Sequence, residues 1–309
     1  MRISLPALLN QSYAAHEIVV LDDASKDDSV AYVKSLQTVH PSIRLLRHES
    51  NQGVIATMNE GVQAATGDVI YFAAADDEAY PGLFAEAARQ LGAHPTAGFF
   101  CSDGAHYDEV THELHIHHLG LPENPPFYSP QEFLPVLRKL PIFFFDSHTI
   151  LFRRSYFFEA GGMAPELGYR TDWFFFWVVV ARHGFCYSPQ VLAKFVRRRS
   201  SFSMVSSANT QIEDRVWQNV LAKLRDPVYR DVRPFLLATA LYTDSEIMLR
   251  RILFALVRTP ANWPMLRPGL VVTWLRRRYG NLFRRAAHRC GQKLRRVYKF
   301  IRCLIMESW

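Results

Sequence analysis

Asp68-Val69-Ile70-Tyr71-Phe72-Ala73-Ala74-Ala75-Asp76-Asp77-Glu78 is the stretch that decides the fold, because an apolar run ends there abruptly in three carboxylates. Val69 to Phe72 are β-branched or aromatic, Gly67 precedes them and Pro81-Gly82 follows. That pattern predicts a buried central strand of a helix-covered sheet. Neighbouring carboxylates at the carboxyl end of such a strand repel one another unless a cation lies between them, and that edge is where open α/β sheets bind ligands. Oxygen ligands of this hardness suit Mg²⁺ or Mn²⁺ carrying a phosphate. An isolated acidic run also suits a solvated turn, so the rest of the chain has to choose.

Upstream, the same pattern occurs once more. Leu5 to Gln11 reads as a helix, and His16-Glu17-Ile18-Val19-Val20-Leu21-Asp22-Asp23 is an apolar strand closing on a carboxylate pair. A turn follows, with Asp28 or Ser29 as N-cap of a helix from Val30 to Leu36, and then a short strand over Ile43 to Arg47. Asn51-Gln52-Gly53 makes a turn into a helix over Val54 to Ala65. Strand, helix, strand, helix, strand at this spacing predicts right-handed βαβ units in a mostly parallel, Rossmann-related sheet flanked by helices. Asp22-Asp23 and Asp76-Asp77 would then reach the same edge. Neither the glycine pattern of a dinucleotide site nor that of a P-loop is present, so carboxylates and a metal are left to hold a diphosphate.

Further on, Gly98 to Asp103 is another strand with a polar end. His106, His112, His115, His117 and His118 suggest a metal, but His115-Ile116-His117 alternates as a strand face does, which favours an exposed hairpin. Phe143 to Arg154 reads as one buried strand. Tyr169-Arg170-Thr171-Asp172-Trp173 opens a helix so apolar on all sides that it must be buried. Asp172 at its start suits an N-cap, and equally a catalytic base.

With 309 residues, 49% hydrophobic and 21% charged, the chain is an ordinary globular protein. No apolar run reaches the ~18 residues of a membrane span, and the start lacks the pattern of a signal peptide. Cys101, Cys186, Cys290 and Cys303 show no C-x-x-C spacing, which points to reduced thiols in a cytoplasmic protein. The net charge of +7 is concentrated near the end: no Asp or Glu lies between Ile247 and Met306, where Trp274, Leu282, Phe283, Val297 and Phe300 interleave with arginines. A basic helix over Leu270 to Ile305, lying on an anionic membrane surface, is the preferred reading; nucleic acid is not expected, since no binding motif accompanies the charge. A solvated helix docked on the domain remains the plain alternative.

Leu8-Leu9-Asn10-Gln11-Ser12-Tyr13, Glu17 to Asp27, Asn51-Gln52-Gly53, Met58-Asn59-Glu60-Gly61, Ala65-Thr66-Gly67-Asp68 and Ala75-Asp76-Asp77-Glu78 stand in an order and spacing that resembles the family-two inverting glycosyltransferases of GT-A fold. Gly161-Gly162-Met163, Thr171-Asp172-Trp173, Gly184 and Phe195-Val196-Arg197 are similar to that family's acceptor half. The resemblance implies a GT-A-like catalytic domain over 1–205, with a nucleotide-sugar half (1–100) and an acceptor half (101–205), and a helical, basic region over 206–309. It implies that Asp22, Asp23, Asn51, Gly53 and Asp77 bind the nucleotide-sugar, that Asp76 binds Mg²⁺ or Mn²⁺ with Asp77 beside it, and that Asp172 is the catalytic base. Arg197, with Arg198 and Arg199, is placed to bind diphosphate, while a solvated basic loop suits Arg198 and Arg199 equally. A glycan or lipid-linked acceptor and a seat at the inner face of the cell membrane follow from the same resemblance and the basic tail. Four departures are visible: Ala74 replaces the first Asp of D-x-D, Thr171 replaces the Glu before Asp172, Arg199 stands where the family commonly has a His after the last core strand, and the family's opening strand is not seen ahead of the first helix. They keep two alternatives open, a sugar nucleotidyltransferase and a glycosyltransferase-like binding protein without turnover.

Overall fold

The computed structural model describes residues 1–140 and 143–241. The predicted helix over Leu270 to Ile305 lies outside the described residues. The chain opens with α1 (Ser4–Leu9), β1 (Ile18–Asp22), α2 (Ser29–Gln37), β2 (Ile43–Arg47), α3 (Val54–Ala64) and β3 (Val69–Tyr71), as the sequence predicts to within a residue or two at each end. The short β4 (Glu78–Ala79) and α4 (Leu83–Ala93) lead into β5 (Phe99–Asp108), which turns back as β6 (Leu114–His117). Then come β7 (Phe127–Tyr128), α5 (Pro130–Leu137), a 3₁₀ turn at Ser147–Thr149, β8 (Leu151–Arg153), α6 (Arg154–Glu159), a 3₁₀ segment at Pro165–Arg170, α7 (Thr171–His183) and β9 (Phe185–Arg197). Three helices, α8 (Phe202–Ala208), α9 (Thr210–Arg225) and α10 (Arg233–Leu241), complete the described chain.

The α/β architecture stands, but its sheet is mixed. The strand order is β3-β8-β5-β9-β4, with β6 on β5 and β7 on β9. Among the described residues, only β1 with β2 and β5 with β9 run parallel. β4, β6, β7 and β8 arrive from hairpins and loops, which antiparallel pairing accepts and parallel pairing does not. β3, expected to be central, pairs with β8 alone and leaves Val69 36% exposed. The expected single strand over Phe143 to Arg154 is broken by the 3₁₀ turn, since Asp146, Ser147 and His148 are polar and Thr149 turns its hydroxyl back to the Asp146 carbonyl.

Among the described residues no ladder joins β1 to β3; β1 and β2 form a sheet of their own. Glu17 holds the two parts together at one end. Its carboxylate accepts the backbone N–H groups of Thr66 (2.5 Å) and Gly67 (3.2 Å), the Thr66 hydroxyl (2.7 Å) and Nη1 of Arg44 (2.5 Å). Below them, one apolar cluster runs from Leu5, Leu8 and Val33 to Leu83, Phe100 and Leu151.

Strand alternation places Phe100, Leu151 and Cys186 on that face and Phe99, Phe152 and Phe185 on the other. The second face is covered by α7. Phe174 to Val180 are buried all the way round, because α7 is enclosed by the sheet, by α5 and by Trp217, Val220, Leu221 and Leu224 of α9. Burying that many aromatic and aliphatic side chains, at ~1.5–3 kcal/mol each, is the main drive for this layer.

Candidate active site

Two of the sequence's candidate carboxylates, Asp22 and Asp23, lie at the end of β1. Asp22 is 4% exposed; Arg47 donates to its Oδ2 at 3.2 Å, and its Oδ1 is buried without a hydrogen-bond partner. Asp23 ties down the next loop. Its Oδ1 accepts from the Gln52 N–H (2.7 Å) and meets His48 Nδ1 (2.7 Å), while its Oδ2 accepts from the Gly53 N–H (2.8 Å). The Gln52 N–H is the largest of the influences that hold the Asp23 carboxyl below its usual range. Gly53 begins α3 with φ +87°, a left-handed conformation that favours glycine. Asn51, just before, is exposed.

His48 was not singled out by the sequence reading, and it links Asp23 to Glu60 of α3 (2.7 Å). Hydrogen bonds donated by its ring to Asp23 and then to Glu60 raise its pKa. α3 in turn reaches the turn between α6 and α7. Asn59 accepts the Met163 N–H (2.8 Å) and donates to the Met163 carbonyl (2.9 Å), holding the Gly161-Gly162-Met163 turn that leads towards Asp172.

Asp76 and Asp77 differ sharply although adjacent. Asp77 is 7% exposed and accepts the Val196 N–H of β9 at 3.0 Å. Burial pushes its pKa up to about 6 against that hydrogen bond, and the Asp76 charge adds to the rise. Asp76 is more open and faces Nε of Arg198 at 3.3 Å. Arg198 therefore meets this carboxylate, while Arg197 and Arg199 fall on the side of Asp108; alternation along an extended segment sends adjacent side chains to opposite sides. A cleft of about 410 Å³ lies beside Asp76, lined by Met1, Arg2, Asp27, Asp28, Tyr32 and Arg198 among others.

Asp172 is the second residue of α7, not its N-cap. Its Oδ1 accepts the Trp173 N–H at 2.7 Å, and it is hydrogen-bonded to Ser147 of the 3₁₀ turn. Burial outweighs these bonds and raises its pKa. The segment before it is gripped by α9. Glu213, 3% exposed, accepts from the Tyr169 hydroxyl, from Arg170 Nη2 (3.1 Å) and from Trp217 Nε1 (3.0 Å). The signal was faint: one Glu on an amphipathic helix, whose burial only packing reveals.

A model of "Glycosyl transferase family 2" matches residues 2–160. The chain belongs to that family. Among curated proteins, the uncharacterized glycosyltransferase YibD of Escherichia coli (strain K12) is 37% identical over 83 residues, 27% of this chain and 24% of YibD. The uncharacterized protein MT1568 of Mycobacterium tuberculosis is 27% identical over 205 residues, 64% of this chain and 62% of that protein. The matches thus span about a quarter of the first and under two thirds of the second. Family 2 membership agrees with the solved structures that share this fold. S. aureus TarS 1-349 superposes with a TM-score of 0.59 at 15% identity, over 82% of this chain and 74% of TarS. The mannosyltransferase PcManGT of Pyrobaculum calidifontis, in complex with GDP-Man and Mn²⁺, gives 0.53 at 19% identity, over 98% of this chain and 80% of that one. The family 2 fold is the GT-A-like one that the ordered motifs implied. Among the described residues, no helix is long and apolar enough to cross a membrane.

Proposed function

We propose that this chain is an inverting glycosyltransferase that moves a sugar from a nucleoside-diphosphate sugar to a hydroxyl of a glycan or lipid-linked acceptor, as in cell-surface polysaccharide assembly. The observation that carries the reading is the Asp172 carboxyl at the start of α7. Its pKa is raised by burial, and its orientation is set by the Trp173 N–H and by Ser147. A carboxylate made more basic in this way suits a general base, which takes the acceptor's hydroxyl proton as the oxygen attacks the anomeric carbon. One displacement inverts that carbon.

Asp22 and Asp23, with Asn51 and Gly53, bind the nucleoside in this reading. The unpartnered buried Oδ1 of Asp22 is an acceptor that a nucleoside hydroxyl or amine would satisfy. Asp76 and Asp77 fit a hard divalent cation, Mg²⁺ or Mn²⁺, because burial beside a second carboxylate already pushes Asp77 up to about 6. Bound at Asp76, such an ion supplies charge neutralisation for the departing diphosphate. Arg198, and Arg197 if its side chain swings inward, adds guanidinium contacts to the same phosphates. We read 1–205 as the catalytic unit and 206–309 as an extension whose basic part, over Leu270 to Ile305, rests on the anionic inner face of the cell membrane.

A second reading has its own observation. Arg198 already faces Asp76 where a metal would sit, and Ala74 withholds the first carboxylate of D-x-D. A family 2 protein that binds a nucleotide without turnover would look the same. Calorimetric titration with UDP, GDP and dTDP, with and without Mn²⁺, repeated on Asp76→Ala, separates the two when paired with a transfer assay on Asp172→Asn. Metal-dependent binding lost in Asp76→Ala, with turnover lost in Asp172→Asn, supports the enzyme. Binding without turnover in the unaltered chain supports the second reading, and absence of binding refutes both.

A further inference from the structure

We propose that His106, His117, His148 and Asp146 form a second metal site, chemically distinct from the Asp76–Asp77 pair, that takes a zinc-type transition-metal ion. His106 stands on β5, His117 on β6, and Asp146 and His148 flank Ser147 in the 3₁₀ turn. Asp146 Oδ1 lies 2.9 Å from His106 Nε2, and its Oδ2 lies 2.8 Å from His117 Nδ1. One ligand atom from each of these three side chains lies within 4.8 Å of the other two. Three residues from three segments converge on one point.

His148 supplies the independent observation. It is 6% exposed, and its Nε2 has no hydrogen-bond partner, an arrangement that is unfavourable unless something satisfies the nitrogen. That atom faces the cluster. A Cβ placed on Gly104 would come 2.7 Å from Asp146 Oδ2 and 2.8 Å from His148 Nε2, so the missing side chain keeps open a gap that both atoms border. Phe195 packs on His106 and His148, and Phe144 stacks on His117 at 4.0 Å, giving the apolar shell common around such sites.

The donor set names the ion class. Two imidazoles and one carboxylate within 4.8 Å of one another, with the unpartnered Nε2 of His148 bordering the same gap, favour Zn²⁺ and its neighbours over Mg²⁺. Binding requires His106 and His117 to exchange their hydrogen bonds to Asp146 for bonds to the ion, releasing any proton the rings hold. The ion would also fix the turn that carries Ser147 to Asp172. That consequence rests on the proposed catalytic role, but the site itself does not.

The test uses Co²⁺ as probe on the purified full chain, with no nucleotide present. Four-coordinate cobalt in a nitrogen–oxygen site absorbs visibly, and the band should appear at one site, be displaced by Zn²⁺ and survive Asp76→Ala. His117→Ala removes a partly exposed ligand and should weaken Zn²⁺ binding at least ~tenfold while circular dichroism stays unchanged. Gly104→Ala should do the same by filling the gap. Absence of a cobalt band overturns the proposal, as does a band that persists in His117→Ala or disappears in Asp76→Ala. Failure of nucleotide binding in the earlier titration leaves this result untouched.

Discussion

Replacing Glu17 tests how the β1–β2 ribbon is fastened to the larger sheet. The Glu17 carboxyl is 12% exposed, and its pKa falls from 4.5 to about 2: burial works against the fall, and the hydrogen bonds from Thr66, Arg44 and Gly67 overcome it. A shift of ~2.5 units corresponds to an upper limit of ~3.4 kcal/mol. Arg44 is 44% exposed and water reaches the partners, so ~1–2 kcal/mol is the working figure. The sign follows from the depressed value. The contribution is fully present above the unfolded pKa near 4.5 and is lost as pH falls through about 2; by linkage, roughly two fifths remains at pH ~3. Urea unfolding of Glu17→Gln should therefore show a deficit of ~1–2 kcal/mol at neutral pH that shrinks by more than half at pH ~3. A deficit independent of pH would refute the argument, because the loss would then lie in packing. No deficit at all would mean that the apolar cluster alone holds the ribbon.

Gly53→Ala meets no neighbouring atom but must adopt φ +87°, so a loss of ~1–2 kcal/mol is expected in thermal unfolding, with weaker nucleotide binding because Asp23 holds that N–H. Glu213→Gln keeps an acceptor but loses the charge opposite Arg170; a melting temperature lower by several degrees and a fall in kcat larger than any rise in KM are expected, since the contact lies on the segment leading to Asp172. Asp172→Asn should cut kcat by ~10²–10⁴ with nucleotide binding unchanged. In the unaltered enzyme, kcat/KM should rise with pH through a value above that of an ordinary carboxylate, because burial raises the Asp172 pKa; a flat acidic limb would remove Asp172 as the base.

Much of this molecule was legible from local pattern. The βα order through β3, the buried α7 and the acidic strand ends follow from periodicity and punctuation, and Asp23, Gly53, Asp77 and Asp172 occupy positions where side-chain chemistry and backbone geometry agree. Pairing was not legible. Whether β3 is central or at an edge depends on which strand comes to lie beside it, and an apolar run reads alike in both places. Alternation near the end of β9 decided that Arg198 and not Arg197 faces Asp76.

The class of fold, the family and the available carboxylates are written in residue types at short spacing, so they can be read along the chain. Which distant groups meet emerges from packing alone: Glu213 with Tyr169 and Arg170, Asn59 with Met163, and the histidines of a hairpin with Asp146 from a turn. The hairpin reading of His115 to His117 was right in secondary structure, yet it could not foresee a carboxylate thirty or so residues away along the chain. Such meetings depend on how packed layers bring remote segments together, and no local period in the sequence encodes that.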